Sequence, residues 1–183
     1  MDNLKAEENV SLGMWKSKED ALRRARNQWQ LGDYIANIRG YKNTELKIAA
    51  SMNQYSHSFI SLEYSPMKAV LRQRCTFWID AFLGLLHDQS VEELDKIYNF
   101  FEENLEKLRR PPQNIAHAHE QQELEKRVRI ELEEKRAEHV RKDKDTPSIL
   151  HQKFQTLEEH SYSGLNDEDK KRKQDLPQEF EAF

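Results

Sequence analysis

The chain has 183 residues, of which five are Gly, five are Pro and one is Cys, and its net charge is -4. Ala, Leu, Glu, Lys, Arg and Gln favour helices, and the shortage of Gly leaves few sites for tight hairpins, so the composition predicts an all-α fold. The single cysteine, Cys75, excludes an internal disulfide and a cysteine-rich zinc site. A mean hydropathy of -0.98 alongside 9% aromatic residues predicts a packed core in one region and solvated or disordered chain elsewhere.

The N-terminal residues carry acids and no apolar run, so no signal peptide is predicted. The most apolar stretch, residues 77–86, contains Asp80 and is too short to span a bilayer. A cytoplasmic protein is therefore expected, with the nucleus as the alternative location.

The charges are distributed unevenly along the chain. Residues 15–75 contain eleven Lys and Arg but five Asp and Glu, a surplus of six positive charges, and the rest carries a surplus of ten negative charges. A basic segment beside an acidic one favours contact with an acidic partner such as nucleic acid, although ordinary helix-surface charge explains the same pattern.

Capping signals mark the first helix. A loose leader is expected over residues 1–16, and Ser17 followed by Asp20 resembles a helix N-cap. Apolar residues then recur at helical spacing until Gly40, a plausible C-terminal cap, so the first helix is predicted to end there.

Two short helices are predicted next, at 44–52 and 56–64, with a turn between them. The second of these helices is expected to bury Phe59 and Leu62. Pro66 in a first turn then starts a further helix.

The apolar stretch over 66–87 predicts a central buried helix. A turn at 88–89 is expected to separate it from the next helix, which a capping box of Ser90 and Glu93 starts and two prolines end. The result is a compact helical domain over residues 17–110.

Charged residues dominate beyond the two prolines. Acid-first pairs at i,i+4, such as Glu125 with Arg129 and Glu131 with Lys135, predict a charged helix over residues 113–143. Its apolar residues keep no clean heptad, so a single charge-stabilised helix is predicted, and a weak coiled-coil arm for oligomerisation is the alternative.

Residues 144–183 are polar and are predicted to form a mostly disordered tail. Four apolar residues in 149–157 lie at helical spacing and indicate one or two amphipathic turns that pack against a protein partner. The basic cluster at 170–173, KKRK, is too short to diagnose a nuclear signal.

The sequence contains no catalytic constellation: it has no Gly-rich phosphate loop, no HExxH and no CxxC. His119 and Glu123 share a helix face, but two ligands without a third make a poor metal site. Cys75 has basic neighbours, yet it precedes the most apolar stretch and is predicted to be a buried structural thiol. The protein is therefore predicted to be no enzyme, to use no cofactor or metal, and to bind another macromolecule.

The segment 31–65 reads LGDYIANIR, TELKIAASM, NQY and SHSFISLEYS. These pieces resemble the first helix, second helix, turn and third helix of the Cro/repressor-type (XRE-like) helix-turn-helix family. Ile48-Ala49 match its apolar-Ala pair, and Leu62-Glu63 match the end of its third helix. The resemblance implies a structural ion pair between Arg39 and Glu63, a degenerate helix-turn-helix at 44–64, and binding to duplex DNA.

In that family the third helix enters the major groove. The residues that would contact bases are Tyr55, Ser56, His57, Ser58 and Ser61. The residues that would contact phosphates are Lys42, Lys47, Lys68, Arg23 and Arg24. Small polar side chains give limited base readout, so specificity would rest on phosphate contacts and DNA shape. Because such modules read paired half-sites, a homodimer or higher homo-oligomer is expected.

Three functions follow from these patterns. The predicted function is a DNA-binding regulator or accessory protein of phage, plasmid or mobile-element origin, acting in transcription regulation. The first alternative is a helical scaffold or adaptor that binds protein partners through the charged helix and tail. The second alternative is an oligomeric DNA-packaging or replication accessory protein that uses the same helix-turn-helix.

Overall fold

A computed structural model describes residues 17–140 and 147–183. This part of the chain contains six helices and one two-stranded hairpin, so the predicted all-α class is confirmed. The elements are α1 Lys18–Gln28, α2 Leu31–Ala50, β1 Gln54–His57, β2 Ile60–Glu63, α3 Ser65–Arg109, α4 Ile115–His139, α5 Ile149–Glu159 and α6 Asp167–Ala182. None of these helices combines the length and the apolar character that a membrane crossing requires.

The chain divides into two compact units: unit 1 is Met1–Leu86 and unit 2 is His87–Phe183. Helix α3 contributes residues 65–86 to unit 1 and 87–109 to unit 2. The division falls inside α3, whereas the sequence placed the end of the first domain at residue 110. The leader expected over 1–16 lies outside the described residues.

Unit 1 begins with two capped helices. The Ser17 side chain accepts a hydrogen bond from the Asp20 amide, which confirms the predicted N-cap of α1. Helix α2 starts with a capping box formed by Gln30 and Asp33. The single first helix predicted from Ser17 to Gly40 is therefore wrong, because the chain breaks at Trp29 and Gln30 and α2 then continues through Gly40, where the end was predicted.

A physical reason for this continuation is burial. A glycine inside a helix costs about 1 kcal/mol relative to alanine. Tyr34, Ile38 and Tyr41 form a buried stripe that crosses Gly40, and burying one such side chain contributes roughly 1.5–3 kcal/mol. The free energy gained by burying these side chains therefore exceeds the cost of placing Gly40 inside the helix.

The core of unit 1 is largely aromatic. Trp78 and Phe82 of α3 are almost fully buried and stack with ring centroids 5.6 Å apart. Tyr41 of α2 packs on Trp78 at 6.2 Å, and Trp29 packs on Phe82 at 4.9 Å. The predicted central buried helix is confirmed over this stretch.

Helix α3 runs for 45 residues without a break. The predicted turn at 88–89 and the capping box of Ser90 and Glu93 are therefore wrong. Asp, Gln and Ser each lower helix stability by less than about 0.7 kcal/mol relative to alanine, and no Gly or Pro interrupts this stretch. Leu86 before it and Leu94 after it are both buried, so packing keeps the helix continuous.

The segment predicted as the end of a helix-turn-helix is a β-hairpin. β1 and β2 pair antiparallel, with Tyr55 opposite Leu62 and His57 opposite Ile60. The two-residue turn begins at Ser58, whose φ is 54°, and a positive φ at this first position suits a type II′ turn. Residues 44–50 belong to α2 and residues 56–63 to the hairpin, so the two short helices are not formed.

Unit 2 contains the predicted charged helix. Within the described residues this helix is α4, on which Glu125 lies 3.6 Å from Arg129 and Glu131 lies 3.7 Å from Lys135. Val128 is the buried apolar residue of this helix.

The predicted disordered tail is wrong where α5, Ile149–Glu159, and α6, Asp167–Ala182, are formed. Side-chain oxygens of Ser148 and Asn166 cap these helices. Both helices pack against α4. Their buried apolar side chains are Leu150, Phe154, Leu157, Leu176 and Phe180. This polar segment is helical because its few apolar residues, at helical spacing, are buried against α3 and α4.

Candidate protein-interaction surface

The hairpin has one polar and one apolar face, because side chains alternate along a strand. The paired register places on the polar face Gln54, Ser56, Ser61 and Glu63. Gln54 Nε2 donates to Ser61 Oγ at 2.6 Å, and the Ser56 and Ser61 hydroxyl oxygens lie 3.3 Å apart. The polar side chains thus satisfy one another across the strands.

The opposite face, here called the hairpin face, consists of Tyr55, His57, Ile60 and Leu62. Tyr55, Ile60 and Leu62 are 47%, 54% and 49% exposed, and Phe59 at the tip is 95% exposed. A hairpin of two strands is only marginally stable in water by itself, and a contiguous exposed apolar patch typically marks an interaction site. The prediction that Phe59 and Leu62 are buried is therefore wrong, and the hairpin face is a candidate protein-binding surface.

Lys68 fixes the hairpin to the end of α2. Its buried amine donates to the carbonyl oxygens of Ala49 at 3.0 Å and Ser51 at 2.6 Å, and to Asn53 Oδ1 at 2.6 Å. The last carbonyls of a helix lack intrahelical partners, and a cation is favourable beside them. Lys68 was predicted to contact phosphate, but its amine is occupied as a helix cap.

The other predicted DNA-binding residues do not lie on a recognition helix. Tyr55, Ser56 and His57 belong to β1, Ser58 to the turn and Ser61 to β2. The predicted phosphate contacts are dispersed over two helices, with Arg23 and Arg24 on α1 and Lys42 and Lys47 on α2.

The predicted structural ion pair is not positioned as the helix-turn-helix requires. Arg39 lies on α2 and Glu63 at the end of β2, and both side chains are exposed. Since the hairpin replaces the third helix, a pair between a first and a third helix cannot form. Arg23, predicted to contact phosphate, lies 2.9 Å from the Asp20 carboxylate.

A polar cluster joins three helices of unit 2. Glu93 of α3 lies 3.3 Å from His139 Nδ1 of α4 and 2.5 Å from Lys153 Nζ of α5. Burial raises the pKa of Glu93, but the hydrogen bonds and charges of His139 and Lys153 outweigh it, so the pKa lies below its usual value of 4.5. The cluster holds the carboxylate ionised and orients α5 against α3.

A second cluster fixes α6 to α3. The buried Asp169 carboxylate lies 3.1 Å from His87 Nε2. Arg172 donates to Asp95 at 2.7 Å, and its carbonyl oxygen accepts a hydrogen bond from the Tyr98 hydroxyl at 2.9 Å. The KKRK segment thus contributes a structural ion pair through its arginine.

The reactive groups of unit 1 are buried and neutral. Burial, and then the charge of Glu45, raise the pKa of Cys75 above its usual value, so the predicted structural thiol is confirmed. Burial likewise raises the pKa of Tyr41 to about 12. Within residues 17–140 and 147–183, no group of three His, Cys, Asp or Glu side chains is placed to bind a metal ion.

These features define a helical protein that, within its described residues, exposes an apolar hairpin face. Residues 80–183 match the family model described as dynein axonemal heavy chain 2/5/8 coiled-coil. The match covers more than half of the chain, which therefore belongs to this family.

Two relatives show the same similarity. Over 104 residues the chain is 26% identical to dynein axonemal heavy chain 2 of Homo sapiens and 24% identical to dynein axonemal heavy chain 2 of Mus musculus. Each alignment covers 56% of this chain and 2% of the relative. The chain thus spans only a small fraction of the length of the curated relatives it matches.

Family membership overturns the predicted DNA-binding regulator and the DNA-packaging alternative, together with duplex DNA as partner. The match is to a dynein coiled-coil segment, and the region that resembled a repressor contains a hairpin. A homodimer was expected because helix-turn-helix modules read paired DNA half-sites, and without DNA binding this reason no longer applies. The all-α and coiled-coil descriptions agree with the family.

The sequence did contain a signal for the hairpin face. Apart from His57, residues 54–57 and 60–63 alternate polar and apolar side chains on either side of two turn residues, which is the period of a strand. The turn residues Ser58 and Phe59 are not the Asn-Gly or Asp-Gly pair that usually marks a two-residue hairpin, so the strand period was the only local signal against the predicted helix.

Proposed function

We propose that the chain is a non-catalytic, helical interaction segment of an axonemal dynein heavy chain, which binds other proteins of the same assembly. The observation that carries this proposal is the family match over residues 80–183. That range covers all of unit 2 and the last turns of the unit 1 core. The proposed place of action is the axoneme or the cytoplasm in which it is assembled.

The geometry of unit 1 supports protein binding. The hairpin face and Phe59 expose large apolar side chains, and a protein surface that covered them would remove that area from water at about 25 cal/mol per Å². The hairpin itself would gain a surface to pack against, which an isolated two-stranded sheet lacks. Any ATP hydrolysis by the complete heavy chain is proposed to reside outside this segment.

Photo-crosslinking tests this function. A chain that carries benzoylphenylalanine in place of Phe59 is irradiated in an extract of demembranated axonemes, and crosslinked partners are identified by mass spectrometry. Adducts with a defined set of axonemal proteins are expected. The matched control carries the same residue in place of Ser56, on the polar face of the same hairpin, and should give far fewer adducts.

Two results would contradict the proposal. Equal labelling from positions 59 and 56 would show non-specific contact, and the absence of protein adducts from both would show that the hairpin meets no partner. ATP hydrolysis by the purified chain above the level of a buffer control would contradict its non-catalytic assignment.

A further inference from the structure

Along the outer edge of β2, backbone groups point away from the hairpin. In an antiparallel ladder, residues that exchange hydrogen bonds alternate with residues whose N–H and C=O groups point away from the paired strand. The Tyr64 amide donates to the Asn53 carbonyl oxygen at 2.7 Å, which fixes this alternation along the hairpin. The backbone groups of Ser61 and Glu63 therefore point outward from β2.

A side-chain contact agrees with this alternation. Opposed residues that exchange no hydrogen bonds bring their side chains closer together, and the Ser56 and Ser61 hydroxyl oxygens lie 3.3 Å apart. Among the residues that the structure describes, no other element hydrogen-bonds the N–H and C=O groups of Ser61 and Glu63. A row of unpaired groups along an edge is a template for a further strand, and an extended chain matches their spacing of two residues.

This edge is accessible to another chain. Residues 49–63 are all exposed, so no described element covers the hairpin. Neither strand contains Pro, Lys or a bulge, which are features that protect an exposed edge from further pairing. An added strand would convert a marginally stable two-stranded hairpin into a sheet of three strands, the size at which a sheet with an apolar face becomes stable.

Glu63 distinguishes the edge of β2 from the edge of β1. It is the only Asp, Glu, Lys or Arg in the hairpin, and within the described residues no cation is ion-paired with its carboxylate. A charged side chain at an edge hinders pairing with strands that cannot balance it, whereas opposite charges directly across a ladder are stabilising. A strand that pairs with β2 should therefore place a Lys or Arg opposite Glu63.

The hairpin face determines the other side chains of an added strand. Ile60 and Leu62 of β2 are about half exposed. A strand beside β2 alternates its side chains between the two faces, so every second residue would lie beside Ile60 or Leu62. Apolar β-branched residues suit these positions, because they pack well on a pleated surface.

We infer that the outer edge of β2 binds an extended strand of a protein partner in antiparallel pairing, with a Lys or Arg opposite Glu63 and apolar β-branched residues beside Ile60 and Leu62. The inference rests on the proposed protein-binding function and specifies the conformation and chemistry of the partner. The hairpin lies before the family match, which begins at residue 80. Pairing with β2 of a second copy is disfavoured, because it would bring two Glu63 carboxylates to diagonal positions on one face.

A capped peptide of seven residues, TVKVTVT, tests the inference on the isotope-labelled full chain. In antiparallel pairing its Lys lies opposite Glu63 and its second Thr opposite Ser61. On binding, the amides of Ser61 and Glu63 should become protected from hydrogen exchange, because the peptide carbonyl groups accept from them. The amides of Gln54 and Ser56, which point outward from β1, should be unchanged.

Methylation of the peptide backbone separates strand pairing from other kinds of contact. Methyl groups on the amides of its Lys and second Thr remove the two N–H donors that face β2, so binding should weaken by roughly five- to a hundredfold. The matched control carries its methyl groups on the amides of the second and third Val, which face away from β2. This control should bind as the parent peptide does.

Charge reversal tests the residue opposite Glu63. Glu63→Lys should weaken binding of the parent peptide and strengthen binding of a peptide in which Glu replaces the Lys. Misfolding cannot produce this gain. The matched control is Asp80→Lys, the same charge change at an exposed position of α3, and it should leave the preference for the parent peptide unchanged.

Three outcomes would overturn the inference: no binding of the parent peptide at millimolar concentration, equal weakening by the two methylation patterns, or protection of Gln54 and Ser56 in place of Ser61 and Glu63. None of these outcomes affects the crosslinks from position 59, which test the proposed function separately. Absence of those crosslinks while the peptide still binds would contradict the proposed function alone.

Discussion

Ser58 determines how the hairpin turns. Its φ of 54° lies in the left-handed region, which costs a residue with a Cβ atom about 1 kcal/mol but costs glycine little. Ser58→Gly should therefore stabilise the hairpin by about 1 kcal/mol. Hydrogen exchange at the amides of β1 and β2 measures this change.

Ser56→Gly is the matched control, since it makes the same substitution within β1, where the Ser56 hydroxyl contacts Ser61. Glycine inside a strand is destabilising by roughly 0.5–1 kcal/mol, so exchange should become faster. If Ser58→Gly also accelerated exchange, the turn geometry described above would be wrong.

At the scale of elements, one lysine connects the end of α2 with the start of the hairpin. Lys68→Met keeps the length of the side chain but removes three hydrogen bonds to Ala49, Ser51 and Asn53. Ala49, Ser51 and Asn53 are exposed, so water can replace the amine as a donor. A hydrogen bond contributes about 0.5–1.5 kcal/mol net, and the free energy of unfolding in urea should fall by about that amount. Lys42→Met, an exposed position on α2, should change it by less than about 0.5 kcal/mol. Equal effects of the two variants would deny Lys68 its capping role.

The cluster around Glu93 makes the stability of unit 2 depend on pH. The pKa of Glu93 is lowered from 4.5 in the folded chain, so its contribution to stability is present above pH 4.5 and is lost as the pH falls through the folded value. Glu93→Gln should therefore destabilise the protein at pH 7, and the gap to wild type should shrink as the pH falls below 4.5.

Urea unfolding of both proteins between pH 3 and 7 measures this gap. Glu102→Gln, at an exposed position of α3, is the control and should follow the wild-type profile. A gap that stayed constant, or widened towards low pH, would show that the carboxylate of Glu93 is not stabilised by its two partners.

At the scale of the whole molecule, residues 149–182 are part of a packed unit. Phe154 is fully buried and Ile149 is 61% exposed on the same helix, α5. Phe154→Ala should lower the free energy of unfolding by about 3–5 kcal/mol, whereas Ile149→Ala should change it by about 0.5 kcal/mol or less. Thermal melts of the two variants compare them directly. Melts that matched wild type for both would mean that α5 does not belong to the folded core.

The candidate surface could be predicted only in part from the sequence. The strand period of its residues is readable in the sequence, but the hairpin was missed because eight residues at 56–63 are compatible with a short helix until the pairing of Tyr55 with Leu62 is known. Strand pairing is a non-local interaction, and local propensities carry little information about it.

Sequence alone determined the helical class, the N-cap at Ser17, the buried aromatic stretch around Trp78 and Phe82, and the charged helix α4, since each depends on residues within a few turns of one another. Only the tertiary structure decided that α2 continues through Gly40, that α3 continues through Ser90, and that the polar residues after 147 are ordered. In each of these cases apolar side chains distant in the sequence are buried together, and that burial outweighs a local preference worth about 1 kcal/mol or less.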